Sequence, residues 1–193
     1  MARTPLLDPG TYFADDRRNS LERAAVVVLA YGLVTVLVRT AATALETPET
    51  GAIVGAIQTW LPFALATTIL FWLGPAALLY GLATVTAGDG GPIDAVRVAA
   101  WGLGAGIVVW LVAFLVLILP ASIVGNGASA YGPGVWFGTT LTLYVGALGW
   151  AGYIWAHGLV ETFDLEWQVA VRTVAVVVAV LFALLIGDLA TVG

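Results

Sequence analysis

The chain has 193 residues, 61% hydrophobic and 10% charged, with a net charge of −5. A soluble domain of this length cannot hide so much apolar surface, so the composition puts the chain in a membrane. The negative balance argues against nucleic acid, which wants a basic stripe, and the lack of cysteine excludes disulfides, thiolate metal sites and thiol catalysis.

Met1 to Ser20 is polar and holds Asp8, Asp15 and Asp16, unlike a cleaved signal peptide, so the first span is expected to act as the targeting signal. Asp8-Pro9 is a helix start, with Asp as N-cap and Pro at the first helical position. In this N-terminal segment, residues 1–20, Leu6, Leu7, Tyr12 and Phe13 are expected to lie against lipid headgroups while Arg17 and Arg18 meet anionic lipid, a membrane-anchoring arrangement. Asn19-Ser20-Leu21-Glu22 resembles a capping box, with Asn19 accepting from the Glu22 amide.

Residues 21–193 read as a transmembrane domain with spans near 21–45, 62–86, 95–119, 135–158 and 167–186. Arg39 near the end of the first span is expected to snorkel outward. The uncharged tract from Gly51 to Thr86 is too long for one straight span of a ~30 Å core, so it is split at Trp60-Leu61-Pro62. Gly51 to Trp60 then becomes a surface-lying or re-entrant piece, and Pro75 should kink the second span. Gly88-Asp89-Gly90-Gly91-Pro92 is a tight turn, Pro120 to Gly134 a loop, and Leu159 to Glu166 an acidic connection. The fold class is all-α: a polytopic membrane helix bundle of five transmembrane helices after a short interfacial helix.

All seven cations are arginine, against twelve acidic residues. An acidic, lysine-free chain suggests a halophile, whose surface carboxylates hold water. With the N-terminus inside, Arg3, Arg17, Arg18, Arg23, Arg97 and Arg172 fall on the cytoplasmic side and Arg39 alone outside. The positive-inside rule thus gives a multi-pass protein of the cell membrane with a cytoplasmic N-terminus and an outer C-terminus.

Residues that carry chemistry are few. His157 has no second His or Cys to join it at a metal, and Glu161, Asp164 and Glu166 read better as a solvated loop than as a hard-cation site. Gly127-Ala128-Ser129-Ala130 is similar to the nucleophile motif of rhomboid proteases, but a whole span, about 30 Å, separates Ser129 from His157. Gly88-Asp89-Gly90-Gly91 lacks the Lys-Ser/Thr of a phosphate loop. Asp188 lies near a span end rather than at the midplane, and Gln58, Thr67 and Thr68 suit interhelical hydrogen bonds. No catalytic, cofactor-binding or metal residue is assigned, and no cofactor is expected.

The glycines point to helix packing. Gly102 and Gly106, four apart, and Gly146, Gly149 and Gly152, three apart, form small faces on which helix backbones approach closely. They serve packing within the chain first, and a homo-oligomer face second. Trp60, Trp101, Trp136, Trp155 and Trp167 fall near span ends, as belt residues should, while Trp72, Trp110 and Trp150 lie deeper and pack between helices.

The order of features resembles the Yip family, small five-span proteins named for interaction with Ypt/Rab GTPases, in its prokaryotic, archaeal type. The residues that carry the likeness begin with Leu6-Leu7-Asp8-Pro9-Gly10-Thr11-Tyr12-Phe13, similar to the family's Leu-x-x-Pro-x-x-Phe-Phe entry. Leu78-Leu79-Tyr80, Gly90-Gly91, Trp101-Gly102 and Tyr153-Ile154-Trp155-Ala156-His157-Gly158-Leu159 follow in the family's order. Two departures stand out: Gly104-Ala105-Gly106 replaces a usual proline, and the long cytoplasmic arm of eukaryotic members is cut to about twenty residues. The resemblance implies a non-enzymatic membrane protein that organises membrane or recruits protein partners at its cytoplasmic face, in contact with the lipid bilayer. The alternative is a small transporter or channel subunit, for which Pro62 and Pro75 would break a helix but no ionisable residue marks a path.

Overall fold

Long apolar runs between short polar turns become helices, because in lipid each backbone N–H and C=O has to find its partner inside its own segment. The computed structural model describes residues 4–15, 20–47, 49–86, 88–123 and 132–192. Regular structure among them is entirely helical: α1 (Pro9–Phe13), α2 (Leu21–Glu46), α3 (Thr50–Val85), α4 (Pro92–Ala113), a π-helical turn (Phe114–Ile118), α5 (Leu119–Ile123), α6 (Gly132–Phe163) and α7 (Trp167–Val192). Among the described residues, four stretches are long and apolar enough to cross a membrane: Leu21–Leu45, Thr50–Val85, Pro92–Ala121 and Trp167–Leu184. The 32 residues of α6 have the length too, but Gly, Thr, Tyr and Trp dilute its apolarity, and the count of five spans rests on this helix.

Helix starts follow local chemistry. Asp8 caps α1, its side chain accepting from Thr11 N–H at 3.4 Å with Pro9 in the first turn. At α2 the cap is Ser20, one residue later than Asn19, and it accepts from Arg23 N–H at 3.3 Å; Asn19 lies outside the described residues. The Asp94 carboxylate reaches back to Gly91 N–H at 2.9 Å to open α4, and pairs with Arg97 at 3.1 Å.

The break expected at Trp60-Leu61-Pro62 does not form. α3 is one helix of 36 residues that runs through both Pro62 and Pro75. A proline removes one helical hydrogen bond, whereas an unwound segment in lipid would orphan several, so continuity is the cheaper outcome. Thr67 donates to the carbonyls of Phe63 and Ala64 at 2.9 and 3.2 Å in the turn after Pro62, while the carbonyl that Pro62 deprives of its helical donor is that of Gln58, four residues earlier. Such a helix is about 54 Å long, so a ~30 Å core takes it only with tilt or with one end left outside. Similarly, Leu159–Phe163 continues α6, and the acidic connection shrinks to Asp164–Glu166, with Asp164 in the left-handed region at φ 54°.

α4 occupies the centre, packed against α2, α3 and α6, with α7 beyond α6. Its buried face is built from small residues, Ala95, Ala99, Ala100, Gly102, Gly104 and Ala105, with Val98 and Leu103. Leu29, Leu33, Leu37, Leu70 and Leu115 point outward and are exposed, the surface expected of helices facing lipid.

Glycine positions decide how closely the helices approach. A carbon added at Gly102 would stand 2.5 Å from the Trp155 indole, and one at Gly158 would stand 2.5 Å from Val98. At Gly106 the neighbour is Tyr31 at 2.7 Å, and at Gly152 Val178 and Val174 at 3.2 and 3.3 Å. Gly146 and Gly149, expected on the same packed face as Gly152, have nothing within 4 Å. Each three-residue step turns the helix face by about 60°, so the stripe drifts off the contact and only Gly152 meets α7. Trp72 and Trp155 add cross-helix hydrogen bonds, to the carbonyls of Val96 (2.8 Å) and Ala99 (3.4 Å). Trp155 is thus no belt residue; it is buried between α4 and α6.

Gly158→Ala should lower thermal stability in detergent, costing about 1–3 kcal/mol as overpacking does. Gly146→Ala should be neutral or stabilising by up to about 1 kcal/mol, since it adds only helix propensity in open space. Equal effects from the two would show that α4 and α6 do not touch as described.

Candidate functional site

The chemistry-bearing side chains gather at one end of the bundle, where the N-terminal segment docks. A turn there is closed by the N–H groups of Leu7 and Asp8 donating to the Thr4 carbonyl at 3.1 and 3.0 Å. Five residues are too few to hold a helix alone, so α1 is stabilised by what it touches. Tyr12 is 3% exposed and Phe13 2%. The Tyr12 ring meets Trp101 edge-on with centroids 5.0 Å apart, and Phe13 lies 5.5 Å from Tyr12.

These two aromatics were expected at the headgroups; they are inside the protein instead. The reason is that α4 and α6 expose small residues at this end, and rings fill the space better than lipid tails would. Leu6 follows them, half-buried, with its Cδ2 3.0 Å from where a side chain at Gly104 would begin. The Leu6 carbonyl accepts from the Trp150 indole N–H at 2.9 Å. Leu7 alone of the four points away, 83% exposed. Arg17 and Arg18 lie outside the described residues.

His157 sits under α1. A side chain at Gly10 would come within 3.2 Å of His157 Nδ1, so glycine lets the segment lie directly on the imidazole. Tyr153 and Trp167 flank the ring, at centroid distances of 4.7 and 4.8 Å. Its neighbours are aromatic, and no group of three His, Asp or Glu among the described residues is placed to hold a metal. Ser129 lies outside the described residues.

The turn before α4 closes the same end. Asp89 N–H donates to the Phe163 carbonyl at 3.1 Å, and a side chain at Gly90 would strike the Phe163 ring at 2.4 Å. The N-terminal segment, the 88–91 turn and the end of α6 thus form one continuous face. Beside it, an open cavity of about 440 Å³ lies between Pro5, Tyr12, Val26, Val27 and Trp101, with Glu22 and Arg23 at its rim. The Trp101 Nε1 is buried without a hydrogen-bond partner among the described residues. Nothing in the sequence marks the Leu6–Trp150 bond, which uses a backbone carbonyl, or the seat of Gly10, between Pro9 and Thr11, on His157.

A family model described as the Yip1 domain matches residues 4–187. No curated protein and no solved structure gives a significant match.

Tyr12→Ser with Phe13→Ser should undock the segment, each lost ring costing about 3–5 kcal/mol at a fully buried site. A spin label at Thr11, which is exposed, should be immobilised in the wild type and mobile in the variant. A label equally mobile in both would contradict the dock.

Proposed function

The chain belongs to the Yip1 domain family, and from that premise we propose that it is a non-enzymatic membrane protein whose docked N-terminal face organises the membrane or recruits protein partners. One observation carries this reading. A segment that could have been a free tail is fastened down by Tyr12, Phe13 and the Leu6–Trp150 bond, leaving Leu7 outermost. A fixed apolar side chain on a polar end is a contact point for a partner or for the inner leaflet, because it meets either without first being ordered.

The arginine distribution supports a cytoplasmic location for this face in the cell membrane, with the C-terminus outside. The acidic, lysine-free composition supports a halophilic, archaeal setting. The continuity of α3 through Pro62 and Pro75 weighs against a transporter, since the discontinuous helix that would line a path is not formed there.

Topology and contact can be read in cells together. Reporter fusions after Asp89 and after Asn126 should report cytoplasm and exterior respectively, and a photo-crosslinker at Leu7 should attach to lipid or to another protein. Fusions that report one side, or a crosslinker that attaches only within its own chain, would contradict the proposal.

A further inference from the structure

Arg39 lies inside the apolar span Leu21–Leu45, roughly 9 Å short of its end at ~1.5 Å per residue. Its guanidinium carbon stands 4.4 Å from the Trp60 ring centroid and 5.3 Å from that of Trp110. Two helices, α3 and α4, therefore grip the cation of a third. Trp60 and Trp110, expected as a belt residue and a packing residue, act here as a pair.

Stacking of this kind uses the flat faces of a guanidinium and leaves its N–H groups pointing outward in the plane. None of those N–H groups donates to an acceptor among the described residues, and Nε is buried without a partner. Thr40 shows the same vacancy beside it. Thr35 and Thr43 donate to the Tyr31 and Arg39 carbonyls one turn earlier, at 2.9 and 3.1 Å, whereas the buried Thr40 hydroxyl has no partner among the described residues. Arg39 forms no ion pair with a carboxylate of the described residues, whereas Arg97 pairs with Asp94 at the other end of the bundle.

A cation held over two aromatic rings, with its terminal N–H groups unpaired among the described residues, is complementary to an oxyanion, and phosphate fits the guanidinium fork in a bidentate manner. Depth selects the source. Arg39 and Trp110 stand at similar heights, each about 27 Å from the start of its helix, which in a bilayer is the acyl-to-headgroup boundary on the far side. We propose that Arg39, gripped by Trp60 and Trp110, binds the phosphate of a membrane phospholipid at the end of the bundle opposite the docked N-terminus. The site is independent of the function assigned to that other face.

Native mass spectrometry of the full chain released from nanodiscs tests this with two lipids, phosphatidylglycerol and a phosphate-free glycolipid. The wild type should retain the phospholipid and not the glycolipid, a comparison that needs no variant to fold. Arg39→Gln should retain about tenfold less phospholipid, as losing a charge-assisted pair implies, with Arg39→Lys between the two. Inorganic phosphate added at millimolar concentration should leave the lipid in place. Equal retention of both lipids by the wild type, or undiminished phospholipid on Arg39→Gln, would overturn the proposal. Displacement by inorganic phosphate would overturn it as well, by assigning the site to a free anion.

Discussion

In a bilayer the apolar faces of helices gain nothing by leaving their solvent, because lipid tails are as apolar as they are. Association must come from closeness, and here the closest seam runs between α4 and α6. Gly102 on α4 receives the Trp155 indole of α6, and Gly158 on α6 receives Val98 of α4. Each helix offers the other a hole and a knob, and the Trp155 N–H reaches the Ala99 carbonyl across the seam. No other contact is made twice in this reciprocal way among the described glycines. The N-terminal face hangs on this seam. Trp101 on α4, and Trp150 and His157 on α6, take up Tyr12, the Leu6 carbonyl and Gly10, so a shift between the two helices would pull the dock apart.

The two ends of the bundle differ in how their polar groups are settled. At the docked end Asp94 satisfies Gly91 N–H and Arg97, and Asp89 N–H finds the Phe163 carbonyl. At the other end Arg39 has aromatic rings beside it and no acceptor among the described residues. Cation–π stacking contributes about 0.5–2 kcal/mol, while a buried donor left without a partner costs about 1–3 kcal/mol. Two such contacts and one orphaned donor are of similar size, so stacking offsets much of the burial of Nε without supplying its missing acceptor.

Much of the architecture was legible from composition and turn chemistry. The Asp8-Pro9 start, the Gly88–Pro92 turn and the apolar runs need only local rules, and local rules place them. Misreadings arose beyond those rules. The split at Pro62 follows from the length of the uncharged tract against a ~30 Å core, yet the helix continues through Pro62 and its excess length is left to tilt or to an end outside the core. Tyr12 and Phe13 look like headgroup residues because a sequence shows aromatic rings beside a span but not the small-residue seat that awaits them on α4 and α6. The stripe of Gly146, Gly149 and Gly152 was visible as a spacing, yet which member meets a neighbour depends on helix rotation, which spacing does not contain. Arg39 was invisible as a site for the same reason, since Trp60 and Trp110 reach it from helices distant in sequence.

The dependence of the fold on the α4–α6 seam is tested most directly by a double-mutant cycle of Gly102→Ala and Trp155→Leu, read as unfolding free energy in detergent. If the indole sits on Gly102, the alanine should be costly beside tryptophan and nearly free beside leucine, giving a coupling of about 1–3 kcal/mol. Costs that add to within about 0.5 kcal/mol would mean that the two residues do not touch, and that the bundle is held together elsewhere.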